Sequence, residues 1–127
     1  MKSYISLGAC FAAVAVVLGA FGAHALKEKI SVQQLQVFET GVKYQFYHAL
    51  ALIVVGLMMD KYASPSLNYA AGFFTAGILL FSGSLYLLST IDINGLSSIK
   101  KILGPITPLG GLCFILGWIS LIIASKK

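Results

Sequence analysis

The chain has 127 residues, of which 58% are hydrophobic and 10% are charged. A soluble domain carries about 25% charged residues, so this composition excludes an ordinary water-soluble domain. The net charge of +5 comes from lysines at the ends of apolar stretches, which is typical of headgroup anchors and argues against nucleic-acid binding. These lysines are Lys2, Lys27, Lys29, Lys43, Lys61, Lys100, Lys101, Lys126 and Lys127. We therefore expect the lipid bilayer, and no nucleic acid, as a partner.

Four apolar stretches are long enough to cross a bilayer. They predict membrane helices over about 4–26, 41–60, 66–89 and 104–125, since about 20 apolar residues span 30 Å of hydrocarbon. The first stretch has a second interpretation as a cleaved signal peptide, because Ala23-His24-Ala25 has the form of a cleavage site. Its length exceeds the roughly 7–15 residues of a signal core, which favours a retained helix. The prediction is one all-α membrane domain, a four-helix bundle.

The connection between the first two spans predicts a short amphipathic helix over about 31–43. Apolar and polar side chains share helical spacing there, with Val32, Leu35, Phe38 and Val42 opposite Gln33, Gln36 and Lys43. Such a helix either lies on the membrane surface or packs on its own bundle, and the pattern does not distinguish the two.

The remaining connections are short. Ser64 and Pro65 are predicted to cap and open the third helix, and the Asp-Ile-Asn-Gly sequence at 92–95 predicts a turn. Cys10 and Cys113 lie in different spans, at depths that differ by roughly 9 Å at 1.5 Å per residue, so we expect free thiols. No spacing of cysteines and histidines suggests a metal site, and no cofactor is expected.

Small residues recur along the first and fourth helices at alternating spacings of three and four, the pattern of close left-handed packing. In the first helix they are Gly8, Ala12, Ala15, Gly19 and Gly22, and in the fourth they are Gly110, Cys113, Gly117, Ser120 and Ala124. We expect these two helices to pack against each other. A homo-oligomer built through one of the two stripes is the alternative.

Four crossings place both termini on one side of the membrane, here called the near side, and most polar membrane residues toward the opposite, far side. Four lysines on the near side and five on the far side do not decide the orientation. The polar cluster comprises His24, Tyr44, Gln45, Tyr47, His48, Ser82, Ser84, Tyr86 and Thr107. An ionisable group within a membrane suggests function, whereas hydrogen bonds from the same residue types also hold bundles together. Both interpretations stay open.

Four motifs carry a resemblance to a known family. They are GAFGAHAL at 19–26, TGVKYQFYHAL at 40–50, FSGSLY at 81–86, and ITPLGG at 106–111 followed by Gly117-Trp118. In this order they closely resemble domain-of-unknown-function family 423, also called the transmembrane protein 256 family. The resemblance covers nearly the whole chain. It implies a small multi-pass protein of a bacterial cell membrane, with no established catalytic residue, substrate or cofactor, and suggests a role in membrane integrity or homeostasis.

Three functions of different classes are compatible with this sequence. The first is a non-enzymatic protein that supports membrane integrity or scaffolds a membrane partner, which the absence of a catalytic motif favours. The second is a small transporter or proton-linked carrier in which His24 and His48 relay protons. The third is a redox subunit that holds haem between the same two histidines.

Overall fold

The computed structural model describes residues 2–126. Lys127 and the side chain of Lys2, both expected as headgroup anchors, lie outside the described residues. The helices are α1 (Lys2–His24), α2 (Val32–Met59), α3 (Pro65–Gly77), α4 (Gly83–Ser89) and α5 (Lys100–Ser125). Among the described residues, four helical units are long and apolar enough to cross a membrane, namely Ser3–Glu28, Val32–Met59, Pro65–Ser89 and Ser97–Ser125. The prediction of an all-α membrane bundle with four spans is confirmed.

The segment predicted as a short amphipathic helix between the first two spans is the first part of α2, which continues without a break into the second span. Ser31 starts this helix with a capping box, in which Ser31 Oγ accepts from Gln34 N and Gln34 Oε1 accepts from Ser31 N, both at 3.1 Å. No proline interrupts the chain between Val32 and Met59, so the backbone hydrogen bonding continues. The apolar side of the segment packs on α1, where buried Phe38 lies against Gly22.

The third span begins at a proline, and a turn that contains a glycine follows its end. Pro65 opens α3 as predicted, but Ser64 Oγ makes no cap hydrogen bond and is buried without a partner in the described part of the chain. The predicted turn after α4 is present, with Gly95 at a φ of 75°. Asn94 Oδ1 accepts from Leu96 N at 2.8 Å, which holds the turn closed.

A π-helical turn at Ile78–Ser82 joins α3 to α4 within the third span. π turns in α-helices are rare and occur frequently at functional sites. This one places Phe81 against Gly110 of α5 and Ser82 against Gly41 of α2. The turn thereby fits the third span to both of its neighbours.

The helices pack in chain order: α1 along α2, α2 along the third span, and the third span along α5. The expected pairing of the first and fourth membrane helices is therefore wrong. The glycines of the α1 stripe face α2: Gly8 faces Ala49 and Ile53, and Gly19 faces Val42. The glycines of the α5 stripe face the third span: Gly110 faces the Phe81 backbone and Gly117 faces the Phe74 ring. Cys10 and Cys113 are free thiols on helices that are not neighbours.

The buried core lies between α2, α3 and α5 and is built from small and medium apolar side chains around two phenylalanines. Its members are Ala51, Leu52, Val55, Leu67, Ala70, Ala71, Phe74, Ile78, Phe114 and Ala124. Many other large apolar side chains lie on the outer surface, and Val17 is 66% exposed. So much apolar surface would drive aggregation in water, whereas lipid solvates it.

Candidate functional site

Gln45 is the centre of the polar cluster and links three helices. Its Nε2 donates to the backbone carbonyl of Phe11 in α1 at 2.7 Å, and its Oε1 accepts from the Tyr86 hydroxyl of α4 at 2.6 Å. The side chain is only 3% exposed. Because lipid offers no hydrogen-bond partner, a buried amide in a membrane must find partners within the protein.

Two serines tie the third span to α2 and α5. Ser82 Oγ is fully buried and donates to Gly41 O at 2.7 Å. Ser84 Oγ donates to Phe81 O at 2.9 Å and lies 2.6 Å from Thr107 Oγ1. Because a serine hydroxyl has one hydrogen, Thr107 donates in the second bond. Among the predicted residues, the structure thus pairs Gln45 with Tyr86 and Ser84 with Thr107, while Ser82 bonds to the α2 backbone.

His48 makes a hydrogen bond through each ring nitrogen. Trp118 Nε1 lies 3.1 Å from His48 Nε2, and an indole nitrogen can only donate, so Nε2 must accept. Nδ1 therefore carries the hydrogen and donates to Tyr44 O, 2.7 Å away. This arrangement assigns the neutral Nδ1–H tautomer.

Aromatic rings surround the His48 imidazole, which is only 5% exposed. The ring stacks on Phe114 with centroids 3.6 Å apart and planes at 12°, and it also contacts Phe74 and Trp118. Phe114 and Trp118 were absent from the predicted cluster. The Gly117-Trp118 motif was the available signal for Trp118, but nothing in the sequence couples it to a histidine 70 residues away.

A groove of about 580 Å³ lies beside His48, between α2, the π turn and α5. Its lining is Tyr44, His48, Phe81, Pro108, Gly111, Leu112, Phe114, Ile115 and Trp118. Trp118 is 43% exposed and Leu112 and Ile115 are more so, which means that the groove opens toward lipid. Its lining carries no Lys, Asp or Glu, so it offers shape and aromatic surface rather than charge.

Three residues of the predicted cluster lie outside its hydrogen-bond network. His24 is exposed at the end of α1, and Tyr47 is exposed on the outer face of α2. Tyr44 contributes its backbone carbonyl to His48, while its ring packs on Phe81. The cluster is therefore smaller and more internal than the sequence indicates.

The two histidines lie at different depths, contrary to the prediction. His48 is one turn from Gln45, which bonds to Phe11, so His48 sits near the level of Phe11 on α1. His24 is then roughly 20 Å further along α1, at 1.5 Å per residue. With both His48 nitrogens already bonded, the pair cannot ligate one haem iron. Among the described residues, no group of three His, Cys, Asp or Glu side chains could hold a metal ion.

Sequence comparison gives the family. The family described as "Protein of unknown function (DUF423)" matches residues 18–111. The chain belongs to this family. The match contains the internal polar cluster from Gln45 to Thr107 and ends before Trp118.

Named relatives of this DUF423 protein are bacterial membrane proteins. It is 51% identical over its full length to UPF0382 membrane protein YwdK of Bacillus subtilis and covers 98% of that protein. It is 49% identical to UPF0382 membrane protein SAB0533 of Staphylococcus aureus and 42% identical to UPF0382 membrane protein SSP2132 of Staphylococcus saprophyticus, again over its full length, covering 98% and 99% of them. No solved structure matches. The predicted family and membrane location are confirmed, and nothing in these findings points to a catalytic activity.

Proposed function

We propose that this DUF423 protein is a non-catalytic membrane protein that contributes to membrane integrity as a fixed helical scaffold. One observation carries the proposal: six buried or half-buried polar side chains at the helix contacts are paired within the bundle. These side chains are Gln45, His48, Ser82, Ser84, Tyr86 and Thr107. Interhelical hydrogen bonds of this kind contribute about 0.6 kcal/mol each, so together they hold helices that lipid alone would not hold.

The same pairing argues against the carrier hypothesis. A proton relay needs a group that exchanges hydrogen-bond partners along a polar path. His48 has both nitrogens bonded, and its neighbour on the near side of the bundle is the apolar core around Leu52 and Phe74. A proton on His48 would have no next acceptor in that direction.

Proteoliposomes containing a trapped pH-sensitive dye test this proposal. Vesicles with the full-length protein are expected to dissipate an imposed proton gradient no faster than protein-free vesicles. A faster dissipation that His48→Gln abolishes would overturn the scaffold and support a proton carrier.

A cellular measurement tests the positive side of the proposal. A bacterium that lacks its own DUF423 protein is expected to admit more of a membrane-impermeant dye under osmotic stress. Expression of either the unaltered chain or His48→Gln should restore exclusion, because a scaffold does not require a titratable ring. Unchanged dye entry on removal of the protein would contradict a role in membrane integrity.

A further inference from the structure

A second groove lies on the opposite side of α2, between α1 and α2, and has a volume of about 340 Å³. Its lining is Ala15, Val16, Gly19, Ala20, Val42, Lys43, Phe46 and Tyr47. Ala15 forms a buried floor, while Val16 and Tyr47 are exposed at the edges. The volume is at the lower end of the roughly 300–1,000 Å³ typical of small-molecule sites.

This groove has a cation at its rim, which distinguishes it from the groove beside His48. Lys43 is exposed, and among the described residues it makes no ion pair, although Glu39 lies one turn away toward the far side. The neighbouring α1 residues Val16 and Ala20 are apolar. Lys43 is thus a positive charge beside an apolar groove and has no ion-pair partner among the described residues.

The depth of Lys43 strengthens the case. Val42 faces Gly19, which places Lys43, one residue deeper, roughly 9 Å below the end of α1 at His24, at 1.5 Å per residue. From Tyr44 to Met59 the uncharged part of α2 is only 16 residues, or about 24 Å, short of the 30 Å hydrocarbon thickness. A lysine at this depth must reach to the headgroups or draw a headgroup toward itself.

We propose that the groove between α1 and α2 binds one anionic phospholipid. An acyl chain lies along Ala15, Gly19 and Phe46, and the phosphate contacts the Lys43 ammonium. Tyr47 lies one turn deeper on the same rim and lines the groove beside the acyl chain. The lipid supplies the negative charge that Lys43 lacks and the apolar surface that the groove requires. This site goes beyond the proposed function, and a carrier could hold the same lipid.

Electron paramagnetic resonance with spin-labelled lipids tests the proposal. The full-length protein is reconstituted in phosphatidylcholine vesicles that contain either labelled phosphatidylglycerol or labelled phosphatidylcholine. The motionally restricted fraction is expected to favour phosphatidylglycerol by about fivefold, the factor expected for one lysine near an anionic surface. The preference should fall as salt is raised, since the charge pair is at the membrane boundary.

Matched variants separate this site from general attraction to a basic protein. Lys43→Gln is expected to abolish the preference, whereas Lys43→Arg should retain it, as should Lys101→Gln, which removes an exposed far-side lysine remote from the groove. Gly19→Leu should weaken the preference by filling the groove, because a Cβ at Gly19 meets only Val42, at an ordinary 3.5 Å.

Three results would overturn the site. One is a preference that survives Lys43→Gln, and another is an equal loss with Lys101→Gln. The third is dimer formation through Val16→Cys with no lipid preference, which would show a second copy in the groove. All of these variants are read against thermal unfolding by circular dichroism, and the exposed Lys43 variants are expected to fold normally. Proton flux would refute the scaffold and leave this lipid preference unaffected, so the two proposals fail separately.

Discussion

Gln45 shows why a membrane bundle benefits from a single well-placed amide. It satisfies the Tyr86 hydroxyl and adds a donor to a helix carbonyl, while its own polar atoms are removed from lipid. Gly41 allows this arrangement, because a Cβ there would lie 2.8 Å from the Tyr86 ring. The amide, the phenol and the glycine therefore form one unit, and each depends on the other two.

Removing either the Gln45 amide or the Tyr86 hydroxyl should leave the other group without its hydrogen-bond partner. Gln45→Leu and Tyr86→Phe are each expected to lower the free energy of unfolding by about 1–2 kcal/mol, because a buried polar group then lacks its partner. In the double variant the losses should not add, and the coupling energy should be about 0.6–1.7 kcal/mol. Unfolding in mixed detergent micelles with added sodium dodecyl sulfate measures all three variants.

The matched control for this cycle is Tyr69→Phe, which removes a phenol hydroxyl from the exposed surface of α3. Its effect should stay within about 0.5 kcal/mol. Strict additivity of Gln45→Leu and Tyr86→Phe would show that the 2.6 Å contact contributes no coupling.

The polar members of the site could largely be predicted from sequence, while their partners could not. A glutamine or serine within an apolar stretch must find a partner in the bundle, and Gln45, Ser82 and Ser84 each have one. A backbone acceptor such as Phe11 O carries no signal in the sequence. Trp118 is half-exposed to lipid, as many membrane tryptophans are, so the sequence does not indicate its hydrogen bond to His48.

At the scale of elements, α2 shows how hydropathy can misplace a helix start. Glu39 and Lys43 interrupt the apolar stretch, but both are exposed and do not disturb the backbone. The helix begins instead at Val32, directly after the Ser31 cap and nine residues before the predicted start of the span, or about 14 Å at 1.5 Å per residue. That displacement is why His48 was expected near the far side and lies halfway along the span.

No pattern in the sequence predicts the π turn. Residues 78–82 have ordinary helix-forming composition with no proline, so only tertiary contacts favour the wider turn. Those contacts are the close approach of Phe81 to Gly110 and the bond from Ser82 to Gly41. Tertiary packing therefore overrides local preference here.

The close approach at Gly110 gives a test of that packing. A Cβ at Gly110 would lie 2.3 Å from Phe81 N, and backbone cannot move aside as a flexible side chain can. Gly110→Ala is therefore expected to lower the free energy of unfolding by about 1–3 kcal/mol. The same detergent unfolding measurement applies.

Gly72→Ala is the comparison for Gly110→Ala, since nothing lies within 4 Å of a Cβ at Gly72. Alanine there should raise the free energy of unfolding by up to about 1 kcal/mol, because it favours helix over glycine. Equal effects of the two substitutions would mean that α5 does not contact the π turn as described.

For the whole molecule, the four spans were predictable but their order in space was not. A stripe of small residues marks a face that can be approached closely, and it does not specify which helix approaches. Short connections between antiparallel helices favour neighbours in sequence, and the structure follows this rule. A further link closes the far side, where Gln34 Nε2 donates to Asp92 Oδ2 at 2.8 Å and joins the start of α2 to the connection before α5.

Cysteine cross-linking in membranes distinguishes chain-order packing from the pairing of α1 with α5. In a Cys10→Ser, Cys113→Ser background, Gly19→Cys with Val42→Cys should form an intramolecular disulfide, because a Cβ at position 19 lies 3.5 Å from Val42 Cγ1. The unaltered chain, which keeps Cys10 and Cys113, is the control. The predicted spans put these two cysteines at different depths, but α1 ends at His24 and α5 begins at Lys100. Each cysteine therefore lies roughly 20 Å from the far-side end of its helix at 1.5 Å per residue, and the two would meet if α1 packed on α5.

With chain-order packing, an oxidant should join the two engineered thiols in a disulfide within the monomer. In the unaltered chain, the same oxidant should leave Cys10 and Cys113 open to alkylation. Mass spectrometry measures both results. The opposite pattern would reverse the helix order. Reversal would also remove the partner of Gln45, because the Phe11 carbonyl reaches that amide only when α1 lies along α2. The hydrogen bond of Gln45 to α1 therefore requires the observed helix order.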